Sequence, residues 1–118
     1  MAEPELRLRL SFGGADASLV YRSLCGVIDA LMANDGVPLA ALERMSHGLA
    51  EIVDAVFVGA RVTEAEVTTN DSGLVASMSY EGAALELDLA GTQIAQGAFD
   101  EVRQQPSRIL MRVRSVTQ

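Results

Sequence analysis

The sequence predicts an α+β domain: a five-stranded, mainly antiparallel sheet carrying a helical hairpin and a short third helix on one face, in the order β-α-α-β-β-β-α-β. Three observations carry this reading. Residues 16–58 hold two consecutive apolar stripes of helical period. The segments on either side alternate apolar and polar residues with a period of two, the pattern of half-buried strands. An apolar helix stripe and the apolar face of a sheet bury one another economically in a two-layer domain. At 118 residues the chain fits a single domain, 1–118, with no linker, repeat or low-complexity stretch to divide it. A chain of this length buries about two-thirds of its unfolded surface, so its core needs no disulfide or metal.

The first strand is expected over Glu5–Phe12, where Leu6, Leu8, Leu10 and Phe12 face one way and Glu5, Arg7, Arg9 and Ser11 the other. Gly13-Gly14 ends it, and Asp16 or Ser18 is placed to cap the next element. A first helix follows to about Ala33, with Val20, Leu24, Val27, Ile28 and Leu31 as its stripe and Tyr21, Cys25 and Met32 beside it. Gly26, Ala30 and Ala33 lie opposite, and so apolar a helix is expected to be covered on more than one side. Asn34-Asp35-Gly36 stops it, with Gly36 as a left-handed cap.

Pro38 suits the first turn of a second helix. Leu42, Met45, Leu49, Ile52, Val53 and Val56 form its stripe, and the short link between the two helices makes them an antiparallel hairpin. Three strands are then expected. Arg61–Thr69 is rich in Val and Thr but has no clear inner face. After a turn at Asn70–Gly73, Leu74, Ala76, Met78 and Tyr80 point inward. After Glu81-Gly82, Leu85, Leu87 and Leu89 alternate with Glu86 and Asp88. A short helix is expected from Thr92 to about Gln104, stopped by Pro106, and a last strand over Arg108–Val116.

Composition narrows the function classes. The formal charge is −7, which disfavours binding to nucleic-acid phosphates. All nine basic residues are arginines, so neither a Schiff-base nor a P-loop lysine is present. With two Tyr, three Phe and no Trp, a base-stacking platform is poorly supplied. One cysteine, Cys25, cannot form an intrachain bridge. No apolar run reaches the length of a membrane span and the acidic start is unlike a signal peptide, so the cytoplasm is the expected compartment and no membrane partner is expected.

Four features could carry chemistry. Glu43, His47 and Glu51 stand at i, i+4 and i+8 on one helix face, a carboxylate–imidazole row suited to acid–base work or weak metal binding. They also lie where a solvated face belongs, with no second His or Cys to complete a metal site, and are read as surface pairs. Gly13-Gly14 stands between a strand and a helix, as a phosphate loop would, but the rest of that signature is missing and Asp16 brings a negative charge. Cys25 is read as a packing thiol.

The fourth feature is a strip on the outer face of the sheet: Arg7, Arg9, Arg112 and Arg114 from the terminal strands, with Glu86 and Asp88 from an inner one. It either balances charge across neighbouring strands or recognises a carboxylate-bearing partner. The expected function is therefore a non-catalytic protein–protein interaction or assembly domain, with no cofactor and no metal, self-association being one form of it. A small-ligand binder or enzyme with a pocket between hairpin and sheet is the alternative. An acidic, immunity-type protein that neutralises a basic partner is a further one.

Overall fold

The computed structural model describes residues 6–34, 38–70, 73–83, 86 and 97–114. Along the chain these form β1 (Leu6–Ser11), α1 (Ala17–Asn34), α2 (Leu39–Phe57), β2 (Ala60–Asn70), β3 (Gly73–Gly82), β4 (Glu101–Gln105) and β5 (Arg108–Arg114). The five strands make one sheet in the order β1-β2-β3-β5-β4, and every neighbouring pair is antiparallel. The α+β architecture is thus the expected one.

Local chemistry sets the helix boundaries. Gly14 turns with φ +103° after β1. Asp16 then caps α1: its Oδ1 accepts from the Leu19 amide at 2.8 Å and its carbonyl from the Val20 amide at 3.1 Å. Val20, Leu24, Ile28 and Met32, each four residues on, are the fully buried line of α1, with Val27 and Leu31 on one shoulder and Tyr21 and Cys25 on the other. Pro38 stands one residue ahead of α2, extended at φ −61° and ψ 147°, and its carbonyl accepts from the Ala41 and Leu42 amides. All six stripe residues of α2 are buried. The expected cap at Gly36 lies outside the described residues.

Both helices lie over β2. The core closes between them and the inward residues Val62, Ala65, Val67, Leu74, Ala76, Met78, Tyr80, Ile109 and Met111. Among the described residues no second covering of α1 is present: Gly26 and Ala30 are exposed, and a Cβ at Gly26 would meet no atom within 4 Å.

β2 explains why its sequence showed no clear face. Its register with β3 shifts between Val62 and Glu64, leaving Thr63 as an extra residue. Without the bulge, Val62 and Ala65 would point to opposite faces, because side chains alternate strictly along a regular strand. With it, Val62, Ala65 and Val67 all enter the core and Glu64 and Glu66 both point outward. The Thr63 carbonyl accepts from the Phe12 amide at 2.8 Å, and its hydroxyl donates to the Ser79 carbonyl at 3.3 Å.

Two expectations for the C-terminal half need correction or fall outside the structure. The helix expected to reach Gln104 does not: only Gly97 and Ala98 are helical among the described residues, and Glu101–Gln105 is strand β4. Pairing with β5 overrides the weak helical pattern, bringing Val102 opposite Met111 and Gln104 opposite Ile109. Tyr80 fixes that hairpin to β3, since its hydroxyl donates to the Gln105 carbonyl at 2.9 Å and its amide to the Ser107 carbonyl at 3.0 Å. The strand expected at Leu85–Leu89 lies outside the described residues apart from Glu86, which is exposed and in no strand.

Two glycines should respond to alanine with opposite signs. Gly82 has φ +109°, and a Cβ there would press on the Gly59 carbonyl oxygen and Ala60 Cα at 2.6 and 2.8 Å. Gly82→Ala is expected to destabilise the domain by more than about 1 kcal/mol. Gly26→Ala, on the open face of α1, should stabilise it by about 0.5–1 kcal/mol. Urea unfolding of the two variants checks both signs.

Candidate functional site

The Glu43–His47–Glu51 row stays on the solvent side of α2: Glu43 and His47 are exposed and Glu51 is half-buried. Among the described residues no three His, Cys, Asp or Glu side chains converge to hold a metal ion. At Gly13-Gly14 the helix amide that an anion would use is already taken by the Asp16 carboxylate. Cys25 faces α2 beside Ile28, Asp29, Met45 and Ser46, in a gap that admits no water. Burial pushes its thiol pKa up, against hydrogen bonds from Tyr21 and Ser46 that pull it down. Tyr21 is raised in turn, chiefly by the hydrogen bond it gives Cys25. The group is a packed thiol beside two hydroxyls, poorly suited to nucleophilic work at neutral pH.

The helix-free face of the sheet is where charged groups gather. Arg9 lies opposite Glu66 in the β1–β2 register and Arg7 opposite Thr68. Arg9 Nη2 reaches Glu66 Oε2 at 3.0 Å and its Nε reaches Glu64 at 3.6 Å, while Arg7 Nε stands 3.9 Å from Glu66. The hydrogen bond to Glu66, with the charge of Glu64, raises the pKa of the Arg9 guanidinium further. Arg112 lies opposite Val75 on one side and Glu101 on the other, 3.8 Å from the Glu101 carboxylate, which also binds Arg103.

Arg7 and Arg9 therefore share a face with Arg112 without being its neighbours, since β2 and β3 separate β1 from β5. Among the described residues Glu64 and Glu66 answer Arg9, Glu66 stands near Arg7, and Glu101 answers Arg112. Glu86 is exposed outside any strand, and Asp88 lies outside the described residues. Arg114 ends β5 opposite Gly73. The true partners were hidden because the bulge blurred the faces of β2 and because β4 carried a helix-like pattern.

Between the two groups lies a polar depression of about 130 Å³, lined by Arg9, Glu64, Ala65, Glu66, Ser77, Ser79 and Arg108. In register, Glu64, Ser79 and Arg108 form one row across β2, β3 and β5. Arg108 Nη2 donates to Ser77 Oγ at 3.0 Å. Ser77 is only 5% exposed, although it belongs to the outward set of β3. Sequence reasoning missed Ser77, Ser79 and Arg108 because nothing in the chain order shows that β5 adds beside β3.

The second surface feature is the edge of the sheet. Among the described residues β1 pairs on one side only, with β2. Its inward leucines are less buried than the alternation predicts: Leu6 is 47% and Leu8 36% exposed. Among the described residues the helices pack on β2, and Leu6 and Leu8 at the outer part of β1 stay exposed.

No family model matches this sequence, and no curated protein does.

Cys25 gives a direct test of the site's chemistry. A raised thiol pKa lowers the thiolate fraction at neutral pH. Iodoacetamide should therefore alkylate native Cys25 more slowly than glutathione at pH 7.5, and unfolding in urea should remove the difference. Alkylation as fast as glutathione would mark the thiol as accessible and activated.

Proposed function

We propose that this chain is a non-catalytic interaction domain that takes an extended partner segment along the free edge of β1. The setting proposed is the cytoplasm, in keeping with a single unpaired cysteine. The observation that carries the reading is the pairing of an open strand edge with exposed Leu6 and Leu8 on one face and Arg7 and Arg9 on the other. An edge strand offers its backbone groups to an added strand, and alternate side chains then select the partner.

Charge selects the partner's chemistry. Two copies of β1 paired antiparallel about Leu8 would set Arg7 against Arg9 twice, and paired about Arg9 would set that arginine against itself; like charges opposite one another oppose pairing. A segment that alternates apolar residues with carboxylates meets both faces of β1. This sequence contains one, Leu85-Glu86-Leu87-Asp88-Leu89, so self-association can use it in place of β1. The space between hairpin and sheet, where the small-ligand alternative would act, is filled by apolar side chains. Among the described residues the one buried polar side chain, Ser77, lies on the opposite face.

A labelled peptide with the sequence of residues 84–90 tests the proposal by fluorescence anisotropy. Saturable binding is expected, weakened at least tenfold by Leu8→Asp and by Arg9→Glu and unaffected by Arg61→Ala. Absence of saturable binding at millimolar protein, or equal binding to a peptide with arginine in place of both acids, contradicts it.

A further inference from the structure

The depression on the helix-free face has features that the β1 edge does not explain. One end is cationic: Arg108 stands in no ion pair among the described residues and donates a hydrogen bond to the nearly buried Ser77 hydroxyl. The other end holds the carboxylates: Glu64 and Glu66 stand there together, with Arg9 shared between them and Arg7 3.9 Å from Glu66. Ser79 lies between the ends, opposite Glu64 in β2 and Arg108 in β5.

We propose that this depression binds a small zwitterion, a molecule with a carboxylate at one end and an ammonium group at the other. Its carboxylate meets the Arg108 guanidinium and the Ser77 and Ser79 hydroxyls, and its ammonium meets Glu64 and Glu66. An arginine fork and hydroxyl donors suit a carboxylate, whereas paired carboxylates suit a compact ammonium.

Charge decides against a simple anion. The protein carries −7 overall, and the lining itself is balanced, Arg9 and Arg108 against Glu64 and Glu66. A zwitterion adds no net charge and satisfies both ends. Size narrows the class further. The space of 130 Å³ is close to the roughly 150 Å³ cavity known to accept benzene, so the ligand has about six to eight heavy atoms. Glu64 and Arg108 are two strand spacings apart, about 9.6 Å between backbones, and their side chains close part of that span. An amino acid whose two charged groups are separated by two to four carbons fits this geometry.

The test is an amide chemical-shift titration of the intact protein with 4-aminobutyrate, and with butyrate and butylammonium as single-charge controls. The zwitterion is expected to give saturable shifts centred on Glu64, Ser77, Ser79 and Arg108, with each control at least tenfold weaker. Arg108→Gln and Glu64→Gln should each weaken binding at least tenfold, and an otherwise unchanged amide spectrum shows that the variants remain folded. Three results overturn the proposal: no saturable shift at tens of millimolar zwitterion, butyrate binding as tightly as the zwitterion, or shifts that map elsewhere. Leu8→Asp should leave this titration unchanged, which separates its outcome from that of the β1 edge.

Discussion

One extra residue, Thr63, gives the sheet its two distinct faces. β2 carries Val62, Ala65 and Val67 in a spacing that a regular strand cannot place on one side. The register shift puts all three under the helices and turns Glu64 and Glu66 out to solvent. Held to strict alternation, β2 would either expose Val62 or drive two carboxylates toward the apolar core, and burying an unpaired charge is far costlier than an irregular ladder. The two hydrogen bonds at Thr63 tie the bulge to Phe12 on one side and Ser79 on the other. The positions of the arginine partners and of the polar depression follow from it.

Much of this was legible in the sequence. Strict alternation in β1, β3 and β5 gave the right faces, and the two helical stripes gave the hairpin, because both periods come from local geometry that packing does not alter. Asp16 was readable as a cap for the same reason. The rest depends on contacts between distant segments. Residues 101–105 look helical in isolation and become strand because β5 is available beside them. Leu6 and Leu8 look buried because alternation shows which way a side chain points, not whether anything stands over it. Alternation with Leu85, Leu87 and Leu89 makes Glu86 and Asp88 the expected acidic partners, whereas the sheet order supplies Glu64, Glu66 and Glu101.

The hairpin side is closed by apolar side chains, and the two recognition surfaces proposed above, the edge of β1 and the helix-free face, lie where the core leaves residues unused. On that face most charges neutralise one another across neighbouring strands, and exposed pairs of this kind add little to stability. Arg108 differs, holding a serine hydroxyl where its neighbours hold carboxylates.

The placement of the bulge is open to a direct measurement: methyl–methyl nuclear Overhauser contacts from the two valines on either side of it. With Thr63 as the extra residue, the methyls of Val62 and of Val67 should both show contacts to methyls of the buried helix stripes, among them Val20, Leu49, Ile52 and Val56. Contacts to the helices from only one of the two valines, with the other seeing none, would mean that β2 alternates without interruption, and would contradict the two-faced sheet.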